Sequence, residues 1–144
     1  MSTLRAGLAF LALVQAVVGG WSLLGPQNFY DNFPSPTNRW VAYFPPFNEH
    51  LLRDFGSLNL ALCAVLVFAV VTMERRLIQA ALVGYLVFAV PHLIFHLGHL
   101  SHMTLVDQVG NVVSLVGVVL IPLALLPLTP RVGQNIDSGV KPVM

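Results

Sequence analysis

Four apolar runs, each about 20 residues long, most strongly constrain how this chain can fold. They occupy residues 4–24, 51–73, 77–100 and 106–126. A helix of that length crosses the hydrocarbon core of a bilayer. Only 9% of the 144 residues are charged, against about a quarter in a typical soluble domain. The sequence therefore predicts an all-α, polytopic membrane protein, with a single four-span domain over residues 1–126 and a polar tail over residues 127–144.

One long connection, residues 25–48, separates the first two predicted spans, and we call it the connecting segment. It contains five prolines and seven aromatic residues, namely Phe29, Tyr30, Phe33, Trp40, Tyr43, Phe44 and Phe47. Aromatic rings with a polar edge favour the boundary between membrane and water. We therefore expect an antiparallel four-helix bundle whose mouth is covered by this segment.

The distribution of Lys and Arg predicts the orientation of such a bundle. With the N-terminus inside, the inner side carries Arg5, Arg75, Arg76, Arg131 and Lys141, and the outer side carries Arg39 and Arg53. Cytoplasmic sides of membrane proteins are enriched in Lys and Arg. The count of five against two predicts a multi-pass protein of the cell inner (plasma) membrane, with both termini in the cytoplasm and the connecting segment outside.

Charge and cysteine content exclude some functions. A net charge of +1 leaves no basic patch for phosphates, so nucleic acid is not an expected partner. The single cysteine, Cys63, excludes an intrachain disulfide. The lipid bilayer is the expected environment and partner of the protein.

Histidines concentrate at the end of the third predicted span. His92, His96 and His99 follow one another at i, i+4 and i+7, which places them on one stripe of a helix, with Tyr85 on the same stripe. His102 lies beyond them, near the predicted water boundary. Ionisable side chains inside a membrane are costly and usually face the interior of the bundle. The stripe therefore predicts a functional site.

Two other predicted spans carry polar residues at the same end of the bundle. The second span opens with Glu49, His50, Arg53 and Asp54. The fourth span has polar residues at i, i+4 and i+7, which are Asp107, Asn111 and Ser114. In an antiparallel order these residues lie at the level of the histidines, and this predicts a shared polar pocket in the outer half of the bundle.

A transition-metal site is the leading hypothesis for that pocket, because imidazole suits Zn, Cu or Fe. The predicted ligands are His92, His96, His99, His50, Glu49 and Asp54. The predicted surrounding residues, which would orient them or line the pocket, are Arg53, Tyr85, Asp107, Asn111, Ser114 and His102. A haem held between His50 and a histidine of the third span is a variant of this hypothesis. No catalytic residue is identified, and an enzyme of this design would be an oxidoreductase.

Two alternatives remain open from the residues alone. In the first, the pocket binds or protonates a lipophilic small molecule such as a quinone, a sterol or a lipid. Alternatively, the polar residues form a structural network that cross-links helices, in a homo-oligomer or a subunit of a larger membrane complex. Gln15 and Asn59 are expected to form packing hydrogen bonds rather than to act as ligands.

The chain also resembles a known family. A first helix leads into Gly20-Trp21-x-x-Leu24-x-Pro26-x-x-Phe29, and a second helix opens with Asn48-Glu49-x-x-x-Arg53-Asp54-x-Gly56. This layout resembles the small four-helix DoxX-like membrane proteins of bacteria, including related domains of unknown function. The resemblance implies a four-helix inner-membrane bundle, sometimes labelled a quinol-oxidase-associated subunit. The histidine-rich third span departs from that pattern and implies a specialised subset.

Overall fold

The computed structural model describes residues 2–129, which form helices and turns with no β-strand among them. The α-helices are α1 (Ser2–Leu24), α2 (Pro26–Asn32), α3 (Glu49–Thr72), α4 (Arg75–Leu97) and α5 (Leu105–Leu125). Short 3-10 turns lie at Trp40–Tyr43, Leu100–His102 and Leu126–Leu128. The predicted all-α class is confirmed for these residues. Most of the predicted tail, with Arg131 and Lys141, lies outside the described residues.

Four of these helices have the length and composition of membrane spans. They are α1, α3, α4 and α5, the last extended to Leu128 by its final turn. Large apolar side chains such as Phe68, Val87 and Val113 remain exposed on their outward faces. A soluble protein rarely leaves so much apolar surface uncovered, whereas lipid tails cover it at no cost. The four apolar helices are thus those of a multi-pass membrane protein.

Polar side chains at the N-caps explain where three of the helices begin. The side-chain oxygen of Asn48 accepts a 3.0 Å hydrogen bond from the Leu51 amide, which opens α3. The Glu74 carboxylate accepts from the backbone of Arg76 and Leu77, which starts α4 earlier than its apolar run. The Thr104 hydroxyl accepts from the Asp107 amide and opens α5. Each cap satisfies a backbone donor that would otherwise lack a partner.

The C-terminal end of α4 differs from the expected span. The helix ends at Leu97, so His99 follows it rather than continuing its stripe. Gly98 is the reason, because glycine is a weak helix former and the backbone tightens there into i, i+3 hydrogen bonds. The His99 amide donates to the His96 carbonyl at 3.0 Å.

Glycines bring α1 and α3 into close contact. A Cβ atom added at Gly56 would lie 2.6 Å from the Leu23 amide nitrogen and 2.8 Å from the Gly19 carbonyl oxygen. One turn away, the Ser22 hydroxyl donates a 2.6 Å hydrogen bond to the Leu52 carbonyl. Small residues with a cross-helix hydrogen bond are the usual way to pack membrane helices. This contact fixes one wall of the bundle.

A cluster of buried apolar side chains fills one part of the bundle. Its large members include Leu4, Leu8, Leu11, Leu66, Ile78, Leu82 and Leu125. These come from the first halves of α1 and α4 and from the second halves of α3 and α5. The other halves of these four helices contribute most of the residues that line a central cavity.

Candidate functional site

A cavity of about 410 Å³ lies among the four long helices and the connecting segment. Its volume falls within the range of about 300–1,000 Å³ that small-molecule sites occupy. Apolar side chains make up most of its wall, and α1, α3, α4 and α5 all contribute to it. A space of this size inside a bundle of membrane-length helices is suited to a lipophilic molecule.

Aromatic side chains form one wall of the cavity through a chain of ring contacts. In order, the rings are Trp40, Phe33, Phe29, Phe55, Phe88, His92, His96 and Phe44, and all eight line the cavity. Neighbouring centroids are between 4.7 and 6.2 Å apart. These are the separations at which aromatic pairs attract. The chain begins and ends on the connecting segment, so rings of that segment, α3 and α4 form one wall.

Four buried polar side chains interrupt this apolar wall. Gln15, Asn59, Tyr85 and Asn111 are each at most 4% exposed, and each lines the cavity. The Asn59 amide donates to the Phe55 carbonyl at 2.7 Å, within its own helix. The Gln15 amide lies beside the Tyr85 hydroxyl. The interior of the bundle is therefore lined by hydrogen-bonding groups as well as rings.

Some of these polar groups have an atom without a hydrogen-bond partner. Among the described side chains, the buried atoms without a partner are Oε1 of Gln15, Oδ1 of Asn111 and Nδ1 of His96. All three belong to residues that line the cavity. A buried polar group left unpaired costs about 1–3 kcal/mol. A ligand that supplied the missing partners would remove this cost.

The histidines divide into two groups. His92 and His96 line the cavity, with ring centroids 4.7 Å apart, and His92 stacks on Phe88. His99 is exposed, where its ring stacks on Phe95 and its Nδ1 lies 2.7 Å from the Phe95 carbonyl oxygen. His102 is exposed on the following 3-10 turn. Only the first two histidines of the predicted stripe therefore face the cavity.

The polar residues that open α3 form ion pairs along its exposed side. Arg53 donates to Glu49 at 2.8 Å, and Nε2 of His50 lies 3.2 Å from Asp54. The His50 side chain is 88% exposed. Arg53 also donates a 2.7 Å hydrogen bond to the Leu23 carbonyl, which satisfies the C-terminal end of α1. None of these four charged or imidazole side chains lines the cavity, where α3 instead contributes apolar residues and Asn59.

The predicted metal ligands are therefore not gathered at one point. No group of three or more His, Cys, Asp or Glu side chains placed to hold a metal occurs between residues 2 and 129. His92 and His96 are the two predicted ligands that line the cavity. A protein site for Zn or Fe normally supplies three or four ligands.

Asp107 holds the connecting segment against α5. Its Oδ1 accepts from the amide of Asn38 at 2.7 Å and from the indole of Trp40 at 2.9 Å. Its Oδ2 accepts from the hydroxyls of Thr104 at 2.8 Å and Tyr43 at 3.1 Å. Burial and the hydrogen bond to Asp107 raise the pKa of the Tyr43 phenol, since both disfavour the phenolate. With only 3% of its surface exposed, Asp107 is a buried carboxylate with four side-chain donors.

The sequence predicted several of the residues that line the cavity and missed others. Tyr85, Asn111 and Ser114 line the cavity, as do His92 and His96. Gln15 and Asn59 were expected only to pack helices together. Their signal was present in the sequence, because an amide in the middle of an apolar span needs a partner in the interior. Three of the four side-chain donors to Asp107, those of Asn38, Trp40 and Tyr43, carry no comparable signal, since they come from a distant part of the chain.

Comparison of the chain with protein-family models, with curated proteins and with solved structures finds no match. The resemblance to DoxX-like membrane proteins stays a prediction from the motifs quoted above. A functional assignment therefore depends on the cavity and its lining.

Proposed function

We propose that this protein is an antiparallel four-helix membrane bundle that binds a lipophilic small molecule with polar groups in its central cavity. The observation that carries the proposal is the lining, which combines a chain of aromatic rings, two of them the imidazoles of His92 and His96, with buried amide and phenol side chains. Ligand sites commonly combine a mostly apolar wall with a few polar groups that fix orientation. A quinone, a sterol or another lipid has this combination of properties.

The antiparallel arrangement is supported by the connections and by the core. The linkers between α3 and α4 and between α4 and α5 are short, and short linkers join antiparallel neighbours. The apolar cluster packs first halves of α1 and α4 against second halves of α3 and α5. Both observations fit a chain that crosses the membrane back and forth.

We further propose that the connecting segment covers the cavity on the outer face of the cell inner membrane, with both termini in the cytoplasm. The positive-inside count supports this orientation. Trp40, Val41 and Phe44 of the segment line the cavity, and Asp107 fastens the segment to α5. The bound molecule would then lie beneath an aromatic cover in the outer half of the bilayer.

A transition metal or haem has weaker support as the occupant. Of the predicted ligands, Glu49, His50 and Asp54 are exposed and lie outside the cavity wall. His99 is also exposed and outside the wall, so only the imidazoles of His92 and His96 remain, and two imidazoles leave a metal short of ligands unless the bound molecule completes its coordination.

Binding, rather than catalysis, is the proposed activity. No Asp or Glu among the described residues lines the cavity beside His92 and His96. Imidazoles that act as general acid or base are usually oriented by such a partner. An accessory or carrier role in a membrane complex fits the lining better than an enzymatic one.

Native mass spectrometry of the protein released from mild detergent tests this proposal. We expect a small lipophile to remain bound to the unaltered protein. Leu115→Trp should displace it, because Leu115 lines the cavity and the indole would occupy the space. Val113→Trp is the matched control, since Val113 is on the same helix with 65% of its surface exposed. Equal lipophile content in both variants, or none in the unaltered protein, would contradict the proposal.

A further inference from the structure

Building on the proposed lipophile binding, we infer that the molecule bound in the cavity is an uncharged lipophile with a hydroxyl group, and that this hydroxyl donates to a buried side-chain acceptor. The candidates for the acceptor are the amide oxygens of Gln15 and Asn111 and the imidazole of His96. The inference follows from three features of the lining.

The first feature is the kind of atom that lacks a partner. Oε1 of Gln15 and Oδ1 of Asn111 are amide oxygens, which accept hydrogen bonds and cannot donate them. A ligand that is a hydrocarbon, an ether or a simple ketone offers no donor to either oxygen. An alcohol or a phenol does offer one. The unpartnered imidazole nitrogen of His96 accepts such a donor as well, in the tautomer that leaves this nitrogen unprotonated.

The second feature is the charge of the lining. No Asp, Glu, Lys or Arg is found among the described residues of the cavity wall. An ammonium group placed there would have no counter-charge, and burying an unpaired charge is far more costly than burying a hydroxyl. A charged amine is therefore disfavoured as the donor, and an uncharged donor such as a hydroxyl is favoured.

The third feature is the distance between the polar groups. Tyr85, beside Gln15, and His96 are eleven residues apart on α4, which corresponds to about 16 Å along the helix. Rings of Phe55 and Phe88 lie among the cavity-lining aromatic residues. A ring-containing molecule with an alkyl chain fits an elongated space of this kind, with its hydroxyl at one of the polar positions.

A matched set of probes tests the inference in detergent-solubilised full-length protein. The probes are para-octylphenol, its methyl ether para-octylanisole, the saturated alcohol para-octylcyclohexanol and the charged para-octylbenzylamine. We expect the phenol to bind about tenfold more tightly than the methyl ether, as expected when a ligand without the donor leaves a buried acceptor unpaired. The cyclohexanol should show the same advantage over the ether if the natural ligand is an alicyclic alcohol, and a smaller one if it is a phenol. The amine should bind more weakly than the phenol.

Variants identify the acceptor. If Gln15 or Asn111 is the acceptor, the double variant Gln15→Leu/Asn111→Leu should bind phenol and ether within about twofold of each other. If His96 is the acceptor, His96→Leu should do so instead, and Val113→Leu on the exposed face should keep the preference in either case. The measurement on unaltered protein decides the inference even where the double variant does not fold. Equal affinity for phenol and ether, or tightest binding of the amine, would overturn the hydroxyl inference and leave lipophile binding intact. Absence of saturable binding for every probe would instead overturn the proposed function as well.

Discussion

The indole nitrogen of Trp40 donates a 2.9 Å hydrogen bond to Oδ1 of Asp107, and this bond ties the cover of the cavity to the start of α5. The same indole lies against Gly110, where an added Cβ atom would be 3.0 Å from its Cζ2. Trp40 also lines the cavity and contacts Phe33. The hydrogen bond to Asp107, which does not line the cavity, thereby holds the Trp40 ring in its place in the cavity wall.

Asp107→Asn should loosen this cover. The substitution places an amide NH₂ where Oδ2 accepts from Thr104 and Tyr43, so two donors lose their acceptor. Hydrogen bonds to a charged group contribute about 1.5–3 kcal/mol each, and the new amide NH₂ offsets part of the loss by donating to a hydroxyl oxygen, so we expect the free energy of unfolding to fall by about 2–4 kcal/mol. Thermal unfolding followed by tryptophan fluorescence measures the change.

Asp54→Asn is the control for that measurement. Asp54 is 59% exposed and pairs with a histidine that is more exposed still, so its loss should change stability by less than about 1 kcal/mol. An equal effect of the two substitutions would show that Asp107 does not hold the connecting segment in place.

Gly56→Ala should separate α1 from α3. The new methyl group would lie within 3 Å of the Leu23 amide nitrogen and the Gly19 carbonyl oxygen, which are backbone atoms that cannot rotate away. Overpacking of this kind costs about 1–3 kcal/mol. Gly84→Ala, on α4 with nothing within 4 Å of its Cβ position, should instead stabilise the protein by up to about 1 kcal/mol. Paired thermal unfolding curves compare the two, and a neutral Gly56→Ala would contradict the close contact.

Asn111→Leu should raise the stability of the ligand-free protein. Asn111 is 3% exposed with an unpartnered Oδ1, so an apolar side chain of similar size removes an unsatisfied buried group. We expect a gain of about 1 kcal/mol, at the lower end of the usual penalty. Differential scanning calorimetry on protein stripped of lipophile measures it. A large loss of stability would mean that Asn111 has a structural partner, and would argue against its role as a ligand acceptor.

Removal of metal should leave the protein unchanged. Because the residues from 2 to 129 bring no three metal-ligating side chains together, a strong chelator should not lower the melting temperature. Elemental analysis of protein prepared without a histidine tag should find less than one metal per chain. A stoichiometric metal whose removal destabilises the protein would restore the metal hypothesis for His92 and His96.

The sequence predicts those features that depend only on residues near one another along the chain. Apolar run length predicts α1, α3, α4 and α5, because a span must satisfy its own backbone hydrogen bonds. Helical spacing likewise groups His92 with His96 and Asn111 with Ser114, and these four side chains line the cavity.

Other features depend on contacts between distant residues. Spacing alone put His99 on the stripe, but Gly98 ends the regular helix before it. The sequence predicted that Glu49 and Asp54 face the histidines, because all of them lie near the same end of the bundle. In the structure, the rotation of α3 instead directs both carboxylates outward, where Glu49 pairs with Arg53 and Asp54 with His50. In this orientation α3 packs closely on α1 at Gly19 and Gly56, a contact that neither charge nor hydropathy patterns reveal.

The central claim, that a lipophile occupies the cavity, is tested most directly by photolabelling. A diazirine derivative of para-octylphenol, irradiated with the protein in lipid nanodiscs, should label cavity-lining residues of α4 such as Tyr85 and His92. Excess unlabelled para-octylphenol should abolish that labelling. Labelling confined to outward-facing residues of the same helix, such as Val83 and Val87, and insensitive to competition, would contradict the account.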